Sequence, residues 1–201
     1  GLDGNELWCS DGTQEGTLMI KDLNPGYLSS MPGYLTRMGN AVYFSANDGT
    51  YGTELWKTDG TSEGTVRVKD IASGHLSSYP TKMIAEENRL FFFANDGVNG
   101  LALWVSDGTE AGTRMVQQIE SDTARSFEML GVSSGTLFFR TLSSLWFSDG
   151  TRMEPFLLSE GYSRKFSGLF IEKGSIYFLD NDGLGNIYKQ NPLTETDPTY
   201  I

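Results

Sequence analysis

Cysteine, histidine and positive charge are scarce in this chain, and each scarcity closes off a class of function. The single cysteine, Cys9, excludes an intrachain disulfide and a multi-cysteine metal site. His75 is the only histidine, and Tyr27 fills its place in the previous copy, which suits a surface or packing role better than a general base. Lys and Arg number 15 against 26 Asp and Glu, a net charge of −11 over 201 residues. Such a surface repels phosphate backbones and argues against nucleic acid, while favouring cations or simple solubility. No stretch approaches the ~20 apolar residues of a membrane-spanning helix, so no membrane insertion is expected. No signal peptide is visible, and the chain begins at Gly1 rather than Met, as a processed form or an excerpt would. Gly-x-Ser-x-Gly, His-Glu-x-x-His and phosphate-binding glycine loops are also missing.

What the chain has in quantity is glycine, 24 residues, and aromatic side chains, 12%. That mixture suits many short strands joined by tight turns, with Trp, Tyr and Phe filling the space between them. The aromatic residues recur at fixed intervals. Glu6-Leu7-Trp8-Cys9-Ser10-Asp11-Gly12-Thr13 returns at Glu54–Thr61, at Ala102–Thr109 with Ala102 replacing the glutamate, and at Ser144–Thr151. Trp8, Trp56, Trp104 and Trp146 are thus 48, 48 and 42 residues apart, and Tyr188 marks a degraded fifth copy. The intervals repeat as well: Pro25–Pro32 matches Ser73–Pro80, and Ala46-Asn47-Asp48-Gly49 matches Ala94-Asn95-Asp96-Gly97, with Asn181-Asp182-Gly183 a later relative.

Each unit contains four strand-like runs bounded by Gly, Asn or Asp. Residues 35–38 or 81–85 make the first, 41–46 or 89–94 the second, 53–57 or 101–105 the third, and 65–70 or 113–118 the fourth. A period near 48 residues with four strands predicts an all-β fold, a β-propeller of four-stranded blades. The copies fall at about 1–46, 47–94, 95–140 and 141–180, with a partial one at 181–201, in a single propeller domain. First-strand runs near 35, 81, 128 and 166 predict four blades. The simplest closure has the N-terminal strands at 5–22 completing the last blade, leaving 186–201 as a spare strand and tail. An unpaired edge would invite another chain, so a homodimer is a further expectation.

The repeated Glu-Leu-Trp-x-x-Asp-Gly-Thr phrase resembles the ELWxxDGT repeat family of large secreted or surface-attached bacterial proteins. The resemblance runs strongly through residues 1–120 and more weakly beyond. It departs in the later copies: the loop before Leu145 lacks Asn-Asp-Gly, and Thr151 lacks the Gly-Thr found at Gly16-Thr17, Gly64-Thr65 and Gly112-Thr113. The resemblance implies an extracellular surface module, secreted or cell-surface and bacterial, and supplies no active site. The Asp-Gly-Thr turn is also similar to the structural Asp-box turn of sialidase propellers.

Within the motif, the Asp carboxylate and Thr hydroxyl are expected to bond the turn backbone, and glycine to supply its positive φ. The tryptophans are expected to pack between blades, each indole N–H finding a backbone partner. A four-stranded meander sends the Asp-Gly-Thr hairpins to one side. The links from strand two to three, and from each blade to the next, emerge on the other. Tyr27, Asn47, Asp48, His75, Asn95, Asp96 and Tyr162 therefore share that second face. Amides, carboxylates and rings together suit a glycan or other polyol, and ordinary turn chemistry is the alternative at each position. Asp180 and Asp182, two carboxylates ahead of Gly183, are the best local calcium candidates but lack the remaining ligands of a calcium loop. Three functional expectations stand: a non-catalytic carbohydrate-binding or adhesion module, a structural or protein-interaction repeat of a larger adhesin, and a glycosidase or lyase whose acidic residues meet only in space, with a glycan or a cell-surface protein as the expected partner.

Overall fold

The computed structural model describes residues 4–119, 127–141, 145–156, 166–180, 187–191 and 199–200, and every regular element among them is a β-strand. The chain divides into two compact units, Gly1–Ile119 and Glu120–Ile201.

The first unit opens with a two-stranded sheet of β1 (Leu7–Cys9) and β2 (Leu18–Lys21). A four-stranded antiparallel sheet follows, β3 (Gly33–Met38), β4 (Ala41–Asn47), β5 (Thr53–Thr58) and β6 (Val66–Lys69). The next repeats it as β7 (Thr81–Glu86), β8 (Arg89–Asn95), β9 (Leu101–Ser106) and β10 (Arg114–Gln118). Strand order follows chain order in both sheets, as in the meander of a propeller blade. The first strands β3 and β7 lie side by side, with the Thr36 hydroxyl donating to the Met83 carbonyl at 3.3 Å.

The second unit holds two more such sheets. One is β11 (Phe127–Ser133), β12 (Thr136–Thr141), β13 (Leu145–Ser148) and β14 (Met153–Phe156). The other is β15 (Phe166–Glu172), β16 (Ser175–Asp180), β17 (Ile187–Gln190) and β18 (Thr199–Tyr200). Here too the first strands β11 and β15 are neighbours, and the Gly174 amide donates to the Ser133 hydroxyl at 3.2 Å. The all-β, propeller-like arrangement of four-stranded blades is as the repeat predicts.

One detail of the expected pairing is corrected. The last sheet draws all four strands from its own region, and β1 and β2 pair with each other rather than with β16. The physical reason is local: the stretch read as a spare strand supplies β17, which places Tyr188 opposite Phe178. The two rings stack with centroids 5.7 Å apart, so the position beside β16 is already filled.

That aromatic pair recurs in every complete sheet. The second strand sets Phe44, Phe92, Phe139 or Phe178 opposite Trp56, Trp104, Trp146 or Tyr188 on the third. Stacking is direct for Phe92–Trp104 and Phe139–Trp146. Cores then form between consecutive sheets. Leu7 and Leu23 pack with Phe44, Ala46 and Trp56, while Met38, Tyr43, Leu55, Val68 and Ile71 pack with Leu90, Phe92, Ala94, Ala102 and Trp104. Trp56 and Trp104 are inter-sheet packing residues, as expected, whereas Trp8 is 54% exposed. Their indole nitrogens are not hydrogen-bonded: Nε1 of Trp56, Trp104 and Trp146 is buried without an acceptor. Ring stacking fixes the indole plane and overrides the ~1–3 kcal/mol cost of an orphaned donor.

Candidate functional site

The Asp-Gly-Thr hairpins are self-contained turns. Oδ1 of Asp11, Asp59 and Asp107 accepts the backbone N–H of Thr13, Thr61 and Thr109 at 2.8–2.9 Å, and each Thr hydroxyl at 2.7 Å. These bonds, the threonine hydroxyl's foremost, hold the three carboxyls below the ordinary Asp range. Gly12, Gly60 and Gly108 take φ of 94°, 94° and 89°, the left-handed region where a side chain is strained. The later Gly-Thr has its own cause. A Cβ on Gly16, Gly64 or Gly112 would collide with the Asp carboxylate. The threonine after it pairs with the residue before Asp, as in Thr58–Thr65 and Ser106–Thr113, both 2.7 Å. Asp149 keeps the Thr151 bonds, but its shorter hairpin closes by Ser148 Oγ donating to the Arg152 carbonyl at 2.6 Å.

The opposite loops are organised by a residue that turn chemistry alone does not single out, the motif glutamate. Glu54 on β5 is fully buried. Its carboxylate accepts the N–H groups of Ile71, Ala72 and Ser78 at 2.9–3.2 Å and the Ser78 hydroxyl at 2.7 Å. Glu6 does the same for the preceding link, taking Leu23 N–H, Ser30 N–H and the Ser30 hydroxyl. Each glutamate thus clamps the loop that leaves its own sheet for the next. Burial pushes the Glu54 carboxyl up from its ordinary value, and the Ser78, Ile71 and Ala72 bonds pull the other way. A buried, perturbed carboxylate is often a mark of catalysis. Here no solvent reaches it and its oxygens are spent on the backbone, so its work is structural.

The clamped loops hold a repeated distortion. Met31 and Tyr34 have φ of 51° and 57°, and the aligned Tyr79 and Lys82 have 48° and 51°. Left-handed conformations for such side chains cost about 1–3 kcal/mol each and persist only where surrounding bonds enforce them. Those bonds are present: Asn5 O accepts Ser30 and Met31 N–H, and Thr53 O accepts Ser78 and Tyr79 N–H, at 3.0–3.3 Å. A bulge then shifts the register of β3 and of β7 just inside this point. All four side chains are exposed. Their signal in the sequence is the repeated Ser-Ser-x-Pro, which marks the loop without revealing the strain.

The residues expected to bind a ligand fall into three groups. Tyr27 is 84% exposed and His75 is exposed on the aligned loop, so both are available. Asn47, Asp48, Asn95 and Asp96 do lie beside these loops: the N–H groups of Asn47 and Asn95 donate to Ser30 O and Ser78 O at 2.8–2.9 Å. Their side chains, however, are engaged in the hairpin turns. Asn47 Oδ1 accepts Gly49 N–H, and Asp48 Oδ1 accepts Thr50 and Tyr51 N–H, all within 2.9 Å. Asn95 repeats the first bond to Gly97, and Asp96 spends both oxygens, on Val98 N–H, Asn99 N–H and Asn99 Nδ2. Although burial pushes the Asp96 carboxyl up, those bonds hold it below its usual range. Tyr51 is covered too, by the Arg67 guanidinium 3.6 Å from its ring centroid. Tyr162, Asp182 and the side chain of Asp180 lie outside the described residues, and no group of three His, Cys, Asp or Glu is placed to hold a metal among those described.

No protein family and no curated protein matches the chain. Its fold is similar to solved structures at low identity. The uncharacterized protein lmo1340 from Listeria monocytogenes EGD-e aligns over 86% of this chain and 54% of its own, at 11% identity and a TM-score of 0.52. The computationally designed Ika4 protein aligns over 94% and 98%, at 18% identity and a TM-score of 0.47. BamB from Moraxella catarrhalis aligns over 80% and 45%, at 16% identity and a TM-score of 0.39. The chain spans about half the length of the two natural proteins. The likeness to lmo1340 is one of fold alone.

Proposed function

We propose that this chain is a non-catalytic binding module that engages a protein partner, such as a cell-surface protein, through its clamped loop face. The observation that carries the reading is the paired, strained presentation of Met31, Tyr34, Tyr79 and Lys82, with Tyr27, Leu28 and Leu76 exposed on the same loops. Strain of this kind collects where side chains must be held in place for a ligand. Neighbouring carboxylates and amides each give at least one oxygen to a turn, so the face offers mainly apolar and aromatic surface, the composition of protein interfaces. The secreted or surface setting rests on the resemblance to the ELWxxDGT family. A photo-crosslinking residue at Tyr79 should trap a specific partner on intact cells, and one at Glu63 on an Asp-Gly-Thr hairpin should not. Trapping at both positions alike, or trapping that survives Tyr27→Ser with Leu76→Ser, removes the reading.

A polyol ligand is the second reading. It is favoured by Asn47 and Asp48, which keep an amide nitrogen and a carboxylate oxygen unbonded among the described residues, beside exposed Tyr27 and His75. A glycan array read with and without calcium separates the two. Sugar binding abolished by Tyr27→Ala and untouched by Leu76→Ser would favour the polyol, and clean negatives would end it.

A further inference from the structure

At the Asp-Gly-Thr end of the β3–β6 sheet, away from the clamped loops, lies a cavity of about 410 Å³. That is within the ~300–1,000 Å³ usual for small-ligand sites. Every residue lining it belongs to this one sheet or its turns. The turn between β3 and β4 supplies Asn40 on one side, and the hairpin between β5 and β6 supplies Asp59 and Glu63 on the other. Tyr43 on β4 and Lys57 on β5, which are cross-strand partners, stand between them. The apolar lining comes from Met38, Ala41 and Val66.

Tyr43 is the anomaly in this lining. Its side chain is 5% exposed and belongs to the core shared with β7–β10, yet its hydroxyl makes no hydrogen bond among the described residues. A buried hydroxyl left unpaired costs about 1–3 kcal/mol, and the fold has a cheaper solution, the fully buried Phe91 at the aligned place in the next sheet. Burial and the Asp107 carboxylate push the Tyr43 phenol up, so it stays protonated and able to donate. Its tip meets the Lys57 ammonium at Gly108. Nζ donates to the Gly108 carbonyl at 2.8 Å, and a Cβ on that glycine would fall on the Tyr43 oxygen.

The polar set is particular to this copy. Forty-eight residues on, Tyr43, Lys57 and Glu63 give way to Phe91, Val105 and Ala111, while the smaller Ala41 and Val66 give way to Arg89 and Arg114. Residues that the turn needs, Asp59 and Gly64, recur unchanged as Asp107 and Gly112. The Tyr–Lys pair returns as Tyr177 opposite Lys189, where the Tyr177 ring meets Phe170. Strand and hairpin therefore form equally well without the groups that line this cavity.

We infer that this cavity binds a neutral polyhydroxy small molecule, a monosaccharide or cyclitol, through Tyr43, Lys57, Asn40 and Asp59. The phenol and the ammonium donate to ligand oxygens, one of the three ammonium donors being already spent on Gly108. Asp59 gives Oδ1 to its own turn, leaving Oδ2 outside those bonds to accept a ligand hydroxyl. Met38 and Val66 offer apolar surface to the C–H patches of the ring. Charge selects against ionic ligands: a phosphate or carboxylate would face Asp59 and Glu63, and an amine would face Lys57. Hydroxyls serve donors and acceptors alike. The site shares no residue with the strained loops and does not rest on the partner proposed for them. A free ligand of this size gives no protein crosslink at Glu63.

Amide NMR titrations with free D-glucose, D-galactose, D-mannose and myo-inositol test the site. At least one of these should shift residues 38–43 and 57–66 saturably. Tyr43→Phe and Lys57→Val borrow the residues of the next copy, Phe91 and Val105, so both should fold with little change in melting temperature. Each should weaken binding about tenfold, and Ala41→Arg, which places a long side chain in the lining, should abolish it. No saturable shift from any of the probes would overturn the proposal, as would equal affinity in the wild type and Tyr43→Phe. Shifts produced by sodium phosphate or methylammonium chloride and not by the sugars would also overturn it. So would sugar binding lost with Tyr27→Ala and kept with Tyr43→Phe, which would place the ligand on the loop face.

Discussion

The position two residues ahead of the motif tryptophan is filled in two ways within residues 1–119, and a single side chain marks the contrast. Glu6 and Glu54 each stand in the third strand of a sheet and gather the N–H groups of the outgoing loop. At the third such position stands Ala102, buried in the apolar core, and the chain divides into its two compact units directly after that sheet, between Ile119 and Glu120. A methyl group accepts no hydrogen bond, so this position offers no carboxylate. The Asp-Gly-Thr hairpins show the same gradient. Three carry the full box with its second glycine, while Asp149 closes a shorter turn through Arg152.

Several changes would break or sharpen that contrast. Trp56→Ala should cost the first unit about 3–5 kcal/mol by opening a cavity between sheets, against about 1 kcal/mol or less for the half-exposed Trp8→Ala. Paired urea titrations would check it, and equal losses would contradict the packing roles. Glu54→Ala puts at the second motif position the residue that Ala102 supplies at the third. The buried Ile71 and Ala72 N–H groups lose their acceptor and Ser78 keeps only the Thr53 carbonyl, for an expected loss of about 3 kcal/mol. Hydrogen exchange should accelerate over residues 70–80 while residues 127–141 are unchanged. Gly64→Ala drives a methyl group into the Asp59 carboxylate and should cost about 2 kcal/mol. Thermal melts of Gly64→Ala and the wild type would measure it.

The smallest effect expected is on pH dependence, where the two carboxylate classes run in opposite directions. Asp11, Asp59 and Asp107 are held below their ordinary value. Their contribution is present above the unfolded pKa of about 3.9 and fades as pH falls through the lower folded values. Glu54 is held above its ordinary value. Its pKa shift favours folding below the unfolded pKa of about 4.3 and loses that contribution as pH rises through the folded one. Removing the box carboxylate with Asp59→Asn should flatten the acid limb of the stability profile, and Glu54→Gln should flatten the opposing change above it. Unchanged profiles from pH 2 to 7 would contradict both assignments.

Much of this was legible in the chain because repetition converts weak local signals into strong ones. Strand positions such as 41–46 and 89–94 lie within a residue of β4 and β8, since four copies of one pattern tolerate one register. The Asp-box bonds were legible too, because they join residues two or three apart. The indole environment and the pairing at the ends of the chain were not. Each depends on what stands opposite, and Tyr188 reads as a degraded tryptophan rather than as the centre of a complete fourth sheet. The candidate face was half legible: sequence placed Asn47, Asp48, Asn95 and Asp96 beside the right loops, but not the turn bonds that occupy them.

Sequence by itself determined the strands, the turns and the order of the sheets, because period, glycine placement and Asp-Gly-Thr spacing act over a few residues. Only the tertiary structure decided which polar groups remain available. Glu6 and Glu54 reach donors 17 to 24 residues away, and both carboxylates are buried there. A buried carboxylate takes its role from the donors that folding brings to it.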